Sequence, residues 1–237
     1  MSAVNVTDTR EEEAVVTSAT DAAVNTISNA VSNSVSNTAQ SYHHGDLRTA
    51  LLNAAAKRLS EHGVDSLSLR KLAEDAGVSR TAPYHHFKDK SALLSAIAAK
   101  GFSDWHSTAK RIFEQEDKTP SARFREFVCE YVGYAAANPE MYELMFGRTI
   151  WQNNAATGDL KDVAFPCFQF QVTMTKFWQH KGLLPDNQDA LRLAQVTWGT
   201  LHGIARLLID GIYADSSHIQ EMCDCAADLF MQASNKA

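Results

Sequence analysis

The sequence predicts an all-α fold, a small three-helix unit followed by a larger helical body. Three observations carry this. From Gly45 onward, apolar residues recur three and four positions apart. No segment alternates with the period of two that a half-buried strand needs. Cap residues and helix breakers fall between the apolar stripes. With 237 residues, 45% of them hydrophobic, the chain can bury a sizeable core.

Residues 1–42 stand apart. Between Ala14 and Gln40 the chain cycles Ala, Val, Asn, Ser and Thr without a large aromatic, and Asn and Ser compete with helix by bonding their own backbone. A disordered, low-complexity tail is expected there. The first helical stripe is Leu47, Leu51, Ala55 and Leu59, closed by His62-Gly63, a glycine suited to the position after a helix end. A short second helix follows Ser68, its N-cap, with Leu69, Leu72, Ala73 and Ala76 apolar. Gly77 breaks it, and Ser79 can cap a third, very short helix reaching about Phe87. Asp89 opens a long fourth helix whose face includes Leu93, Ile97, Phe102, Trp105 and Phe113.

Thr119-Pro120 places proline at the first position of the next helix, which carries Phe124, Phe127, Val128, Tyr131 and Ala135 and stops at Asn138-Pro139. A short helix covers Pro139 to Phe146. Another runs from about Asp159 to His180, and Pro166 is expected to kink it or mark its true start. The cleanest stripe, from about Asp186 to Ile212, is Leu191, Ala194, Trp198, Leu201, Ala205, Leu208 and Ile212. A last helix from about Ser216 to Gln232 presents Ile219, Met222, Cys223, Ala226 and Phe230.

Charge is distributed unevenly over these parts. The formal net charge is −6, yet residues 43–101 hold nine Lys/Arg against six Asp/Glu, flanked by acidic segments on both sides. A small basic module on an acidic body is the footprint of a nucleic-acid reader joined to something else. No stretch approaches the roughly 20 apolar residues of a membrane span. The N-terminus has neither the basic flank nor the apolar core of a secretory signal, so a cytoplasmic location is expected. Cys129, Cys167 and the Cys223/Cys225 pair are scattered over separate segments without zinc-site spacing, the last two point in different directions on a helix, and all read as ordinary thiols. The adjacent pairs His43-His44 and His85-His86 diverge on a helix, so no metal is expected. Without a Gly-rich phosphate loop, a nucleophile elbow or a His-Glu-x-x-His helix, no catalytic residue, enzymatic activity or cofactor is expected.

The stretch from Leu67 to Phe87 is the informative one. Gly77 supplies the left-handed backbone a tight turn demands, and Ala73 is small enough for two helices to approach steeply. Leu72, Ala76, Val78 and Phe87 face inward. The outer face would then enter a major groove N-terminus first. Arg80 and Thr81 can reach base edges, Arg80 pairing bidentately with guanine, Ala82 suits a thymine methyl, and Ser79, Tyr84 and His85 can reach bases or phosphates. Lys90 sits at the next helix's N-terminus, where phosphates are favoured, and Arg70 can reach a flanking base or phosphate.

Tyr42-His-His-Gly-Asp-Leu47, the Leu67–Phe87 stretch and Lys90-Ser-Ala-Leu-Leu94 resemble the DNA-binding domain of TetR/AcrR-family transcriptional regulators. The resemblance covers about residues 41–102. It implies DNA contacts from Arg70, Arg80, Thr81, Ala82, Tyr84, His85 and Lys90, with His86 and Phe87 packing or touching phosphate. Pro83 stands where many members have Leu. The match in the C-terminal part is to architecture, with one local signature: Trp198-Gly-Thr-Leu-His-Gly203 resembles the Trp-x-x-x-His-Gly motif of one C-terminal subgroup. The expected organisation is therefore a tail (1–42), a helix-turn-helix DNA-binding domain (43–101) and an effector-binding and dimerisation domain (102–237). The family implies a homodimer on a palindromic double-stranded operator and, most commonly, a ligand-responsive repressor.

For an apolar or aromatic effector, Trp105, Tyr131, Met145, Phe168, Trp198 and His202 are the candidate contacts. Trp198 and His202 share a helix face, and aromatics at that spacing are more often core, with the histidine bonded to a backbone carbonyl and Gly203 allowing a close crossing. A helical interaction or effector-sensing module without DNA binding is the alternative from another class. The intact Arg80, Thr81, Tyr84, His85 set favours DNA.

Overall fold

The computed structural model describes residues 44–151, 156, 158–213 and 218–232. The expected tail and His43 lie outside them. Among the described residues there is no strand, and the helices are α1 (His44–His62), α2 (Leu69–Asp75), α3 (Lys90–Phe113), α4 (Pro120–Ala137), α5 (Pro139–Phe146), α6 (Arg148–Trp151), α7 (Gly158–His180), α8 (Ala190–Ile209) and α9 (Ile219–Gln232). Two 3-10 turns, Val64–Ser66 and Ala82–His85, link the first helices.

Helix starts follow local chemistry. Ser68, Asp89, Thr119 and Asp189 each use a side-chain oxygen to accept the backbone N–H three residues on, at 3.2, 2.9, 3.2 and 3.0 Å. Gly77 takes φ 64°, the left-handed turn expected of it.

Four expectations change. The third helix is a single 3-10 turn, because Pro83 has no N–H to give the Ser79 carbonyl, which takes the Ala82 N–H at 3.0 Å instead. Ser79 does not cap it; its hydroxyl pairs with that of Thr81 at 3.2 Å. Helix α7 begins at Gly158 and runs through Pro166, so the proline does not mark its start, and the carbonyl of Asp162, the one Pro166 cannot serve, belongs to an exposed residue. Helix α8 starts after Asp189 rather than at Asp186, and Leu191 and Ile212, expected in its buried stripe, are exposed. Ser216, the expected start of the last helix, is outside the described residues.

The core runs without interruption from Leu51 of α1 to Ala227 of α9. Near the N-terminus, Leu51, Leu59, Leu72, Phe87, Leu93 and Ile97 close around the turn region, which Arg58 clamps by bonding the Ser66 carbonyl at 3.1 Å and Asp75 at 2.7 Å. Helix α3 passes through the expected boundary at 101/102, giving its first half to this cluster and its second half to α7. In the body, α4 packs against α8 and α9, and Trp178 of α7 is buried against Phe124 and Phe127 at ring distances of 4.8 and 5.5 Å.

Candidate nucleic-acid interface and aromatic cavity

The turn region separates its residues cleanly by role. Pro83 and Phe87 are buried and anchor the 3-10 turn, while Ser79, Arg80, Thr81, Tyr84, His85 and Lys90 are exposed. Tyr84 is 56% exposed, unusual for an aromatic that could otherwise be buried. Arg80 meets no carboxylate among the described residues and is free to approach an anion. Arg70 is also exposed, loosely paired with Glu74 at 3.4 Å. Ala82 is half-buried. His86 is half-buried as well, its ring 6.4 Å from that of Phe87. A cationic and hydrogen-bonding surface is thereby presented on one tight turn with an apolar anchor behind it. That arrangement can pair with phosphates and base edges.

The body holds a cavity of about 370 Å³, within the ~300–1,000 Å³ range of small-molecule sites. Four of the six expected contacts line it: Trp105, Tyr131, Phe168 and Trp198. Two do not. Met145 is buried over Gly101, where an added Cβ would come within 2.7 Å of its sulfur. His202 stands one layer behind the wall. Phe102, Phe146, Trp151, Ala164, Phe165, Cys167 and Gln171 complete the lining. Phe146 is an aromatic that the sequence leaves between core and ligand contact; the others share helices with expected contacts or, like Trp151, come from α6, and no motif marks them.

A run of hydrogen bonds leads away from the cavity. Trp198 Nε1 donates to the Tyr131 hydroxyl at 2.7 Å, Tyr131 and Tyr142 share a bond of 2.9 Å, and Tyr142 meets His202 Nδ1 at 2.7 Å. Burial pushes both tyrosine hydroxyls far above their ordinary range, so they stay neutral. His202 is therefore satisfied by a tyrosine, not by the expected backbone carbonyl. Nor does Gly203 serve a close crossing here, since a Cβ added to it would meet nothing within 4 Å among the described residues.

Desolvation, then the neighbouring Arg206 guanidinium, hold the His202 pKa below its ordinary 6.5. The unfolded chain consequently takes this proton first. The stability carried by neutral His202 is complete above about pH 6.5 and drains away as pH falls through the folded pKa. Thermal unfolding midpoints between about pH 7.5 and 5 should fall less steeply for His202→Gln than for the wild type. Parallel slopes would show that His202 does not carry the acid sensitivity.

The structure also joins two thiols that the sequence left apart. Cys129 of α4 lies beside Cys223 of α9, and Gln220 Nε2 donates to Cys129 Sγ at 3.2 Å. Proximity to Cys223 draws the Cys129 thiol below its ordinary range, while the same proximity and burial push Cys223 up. No group of three or more His, Cys, Asp or Glu among the described residues could hold a metal ion. No helix of the described residues is long and apolar enough to cross a membrane.

Two family models match the chain. Residues 51–97 fit that of bacterial regulatory proteins of the tetR family, and residues 124–230 fit that of the tetracyclin repressor-like C-terminal domain. The chain belongs to the TetR family. Its first model covers the helix-turn-helix and the surface around Arg80; its second covers α4 to α9 and most of the cavity wall. Over 57 residues the chain is 46% identical to the class A tetracycline repressor protein from transposon 1721 of Escherichia coli, which covers 24% of this chain and 26% of that protein. It is 48% identical over 52 residues to the regulator AcrR of Shigella flexneri, covering 22% of this chain and 23% of that one. The matched stretch thus spans about a quarter of the length of these curated relatives. A solved protein of unknown function from Rhodococcus sp. RHA1 is similar across the whole fold, with 36% identity, a TM-score of 0.71, and coverage of 81% of this chain and 97% of that one. FadR of Bacillus subtilis, solved with stearoyl-CoA, shares the fold at 14% identity and a TM-score of 0.59, covering 78% of this chain and 98% of that one.

Proposed function

We propose that this TetR-family chain is a sequence-specific DNA-binding transcriptional regulator, a homodimeric repressor released from a near-palindromic operator by a small effector in the body cavity. The observation that carries the DNA-reading half is the turn on which Arg80, Thr81, Tyr84 and His85 stand exposed over buried Pro83 and Phe87. Arg80 and Thr81 are assigned to base edges, Ser79, Tyr84, His85 and Lys90 to bases or phosphates, Ala82 to a thymine methyl, and Arg70 to a flanking contact. The curated repressors matched over this stretch support the repressor sense.

The homodimer is supported by α8 and α9. Val196, Leu191 and Leu229 are 59%, 40% and 65% exposed, and a shallow apolar groove between the two helices includes Ile204, Met222 and Phe230. A second copy related by a two-fold axis would cover these side chains with their own equivalents. Leu229→Glu is expected to sediment as a monomer where the wild type sediments as a dimer. A dimer of unchanged affinity would remove α9 from the interface.

The test is a selection of genomic DNA fragments by the purified full-length protein at two salt concentrations. Enrichment of a near-palindromic site is expected, with affinity that falls as salt rises. Absence of enrichment, together with no DNA binding at low salt, would overturn the reading.

A further inference from the structure

We infer that the cavity takes a neutral, planar aromatic ligand bearing one hydrogen-bond donor, which it presents to the side-chain amide oxygen of Gln171. The inference rests on the reading of the cavity as an effector site and names the chemistry of its occupant.

Shape and polarity set the first two terms. Eight of the eleven lining residues are aromatic, and none is Lys, Arg, His, Asp or Glu. A carboxylate, phosphate or ammonium entering here would lose its water and find no counter-charge, a cost that apolar walls do not repay. Flat aromatic groups, in contrast, can stack on or edge against rings such as Trp198 and Phe168, themselves 5.8 Å apart.

The donor follows from the remaining polar atoms. Trp198 Nε1 is committed to Tyr131, Trp151 Nε1 to the Met145 carbonyl at 2.6 Å, and the Cys167 thiol to the Phe102 carbonyl at 3.4 Å; Trp105 adds an indole donor, so among acceptors the choice falls on Gln171. Burial pushes the Cys167 pKa up to about 12, which keeps that group a neutral thiol. Gln171 differs. It is 8% exposed, and it gives an amide proton to the Ala194 carbonyl at 3.3 Å. A carbonyl can only accept, so that contact fixes Nε2 and Oε1 in place. Among the described residues no donor reaches Oε1. Oε1 is therefore an acceptor open to the cavity that Gln171 lines, and a ligand hydroxyl or ring N–H that displaces water there would donate to it.

Three probes of one ring size separate these terms: 1-naphthol, which is neutral with a donor; naphthalene, which is neutral without one; and 1-naphthoate, an anion. Isothermal titration calorimetry of the full-length protein at pH 7, without DNA, is expected to show 1-naphthol binding one per chain. Naphthalene should bind about tenfold more weakly, the worth of one buried hydrogen bond, and 1-naphthoate more weakly again. Gln171→Leu should bring 1-naphthol down to the affinity of naphthalene while naphthalene binding is kept. Equal affinity for naphthol and naphthalene, naphthoate binding as tightly as either, or no binding of any probe would each overturn the inference. The three-ligand comparison on the wild-type protein stands even if Gln171→Leu does not fold. Because the titration contains no DNA, its failure is distinguishable from failure of the genomic selection.

Discussion

Arg80→Ala is expected to weaken binding to the proposed operator by about 2–6 kcal/mol, a bidentate base contact being worth about 1–3 kcal/mol in each of two half-sites. Arg80 stands exposed just before the 3-10 turn with no carboxylate partner among the described residues to give up, so its guanidinium enters the groove without first breaking an ion pair. The loss should be much smaller on a scrambled duplex, and the operator position facing Arg80 should become tolerant of other bases. Measured by fluorescence anisotropy on both duplexes, equal losses would instead make Arg80 a phosphate contact. Arg70→Ala offers a contrast. Its guanidinium is already shared with Glu74 at 3.4 Å, so a smaller and less sequence-dependent loss is expected.

The second large effect is on stability. Trp178→Ala should cost about 3–5 kcal/mol, through lost burial and the cavity left between Phe124 and Phe127. Much of the stability of an average domain, about 5–15 kcal/mol, would go with it. Trp178→Phe should cost far less, on the order of 1–2 kcal/mol. The reason is that the buried Trp178 indole N–H meets no acceptor among the described residues, so phenylalanine removes volume and an unpaired donor together. Urea unfolding of the two variants gives the comparison. Equal destabilisation by Ala and Phe would mean that the N–H, not the ring, is what the site requires.

The two sites differ in how far they could be read before the fold was seen. For the turn surface, the residues lie within some twenty positions, and each governing interaction is short in sequence: a cap at three residues, a left-handed glycine, a buried aromatic closing the turn. Local chemistry is nearly sufficient there. It is insufficient where two local rules compete: Ser79 suits a cap, but the missing N–H of Pro83 leaves one 3-10 turn with no side-chain cap. The cavity was legible only as a richness in aromatics. Phe165 and Trp151 reach it from helices whose periodicity gave them no special place, and Met145, equally apolar, turned out to pack on Gly101 instead.

By itself the sequence determined the all-α class, the positions of most helices, the three caps at Ser68, Asp89 and Thr119, and the exposed face around Arg80. These depend on side-chain period and on hydrogen bonds spanning three or four residues, which the order of amino acids specifies directly. Tertiary structure alone decided that His202 answers to Tyr142, 60 residues away, that Cys129 meets Cys223, and that Gln171 keeps an unmatched oxygen at a cavity without charge. Those outcomes depend on which helix faces come together. Apolar stripes specify burial but not partners, so the partners emerge only when the helices pack.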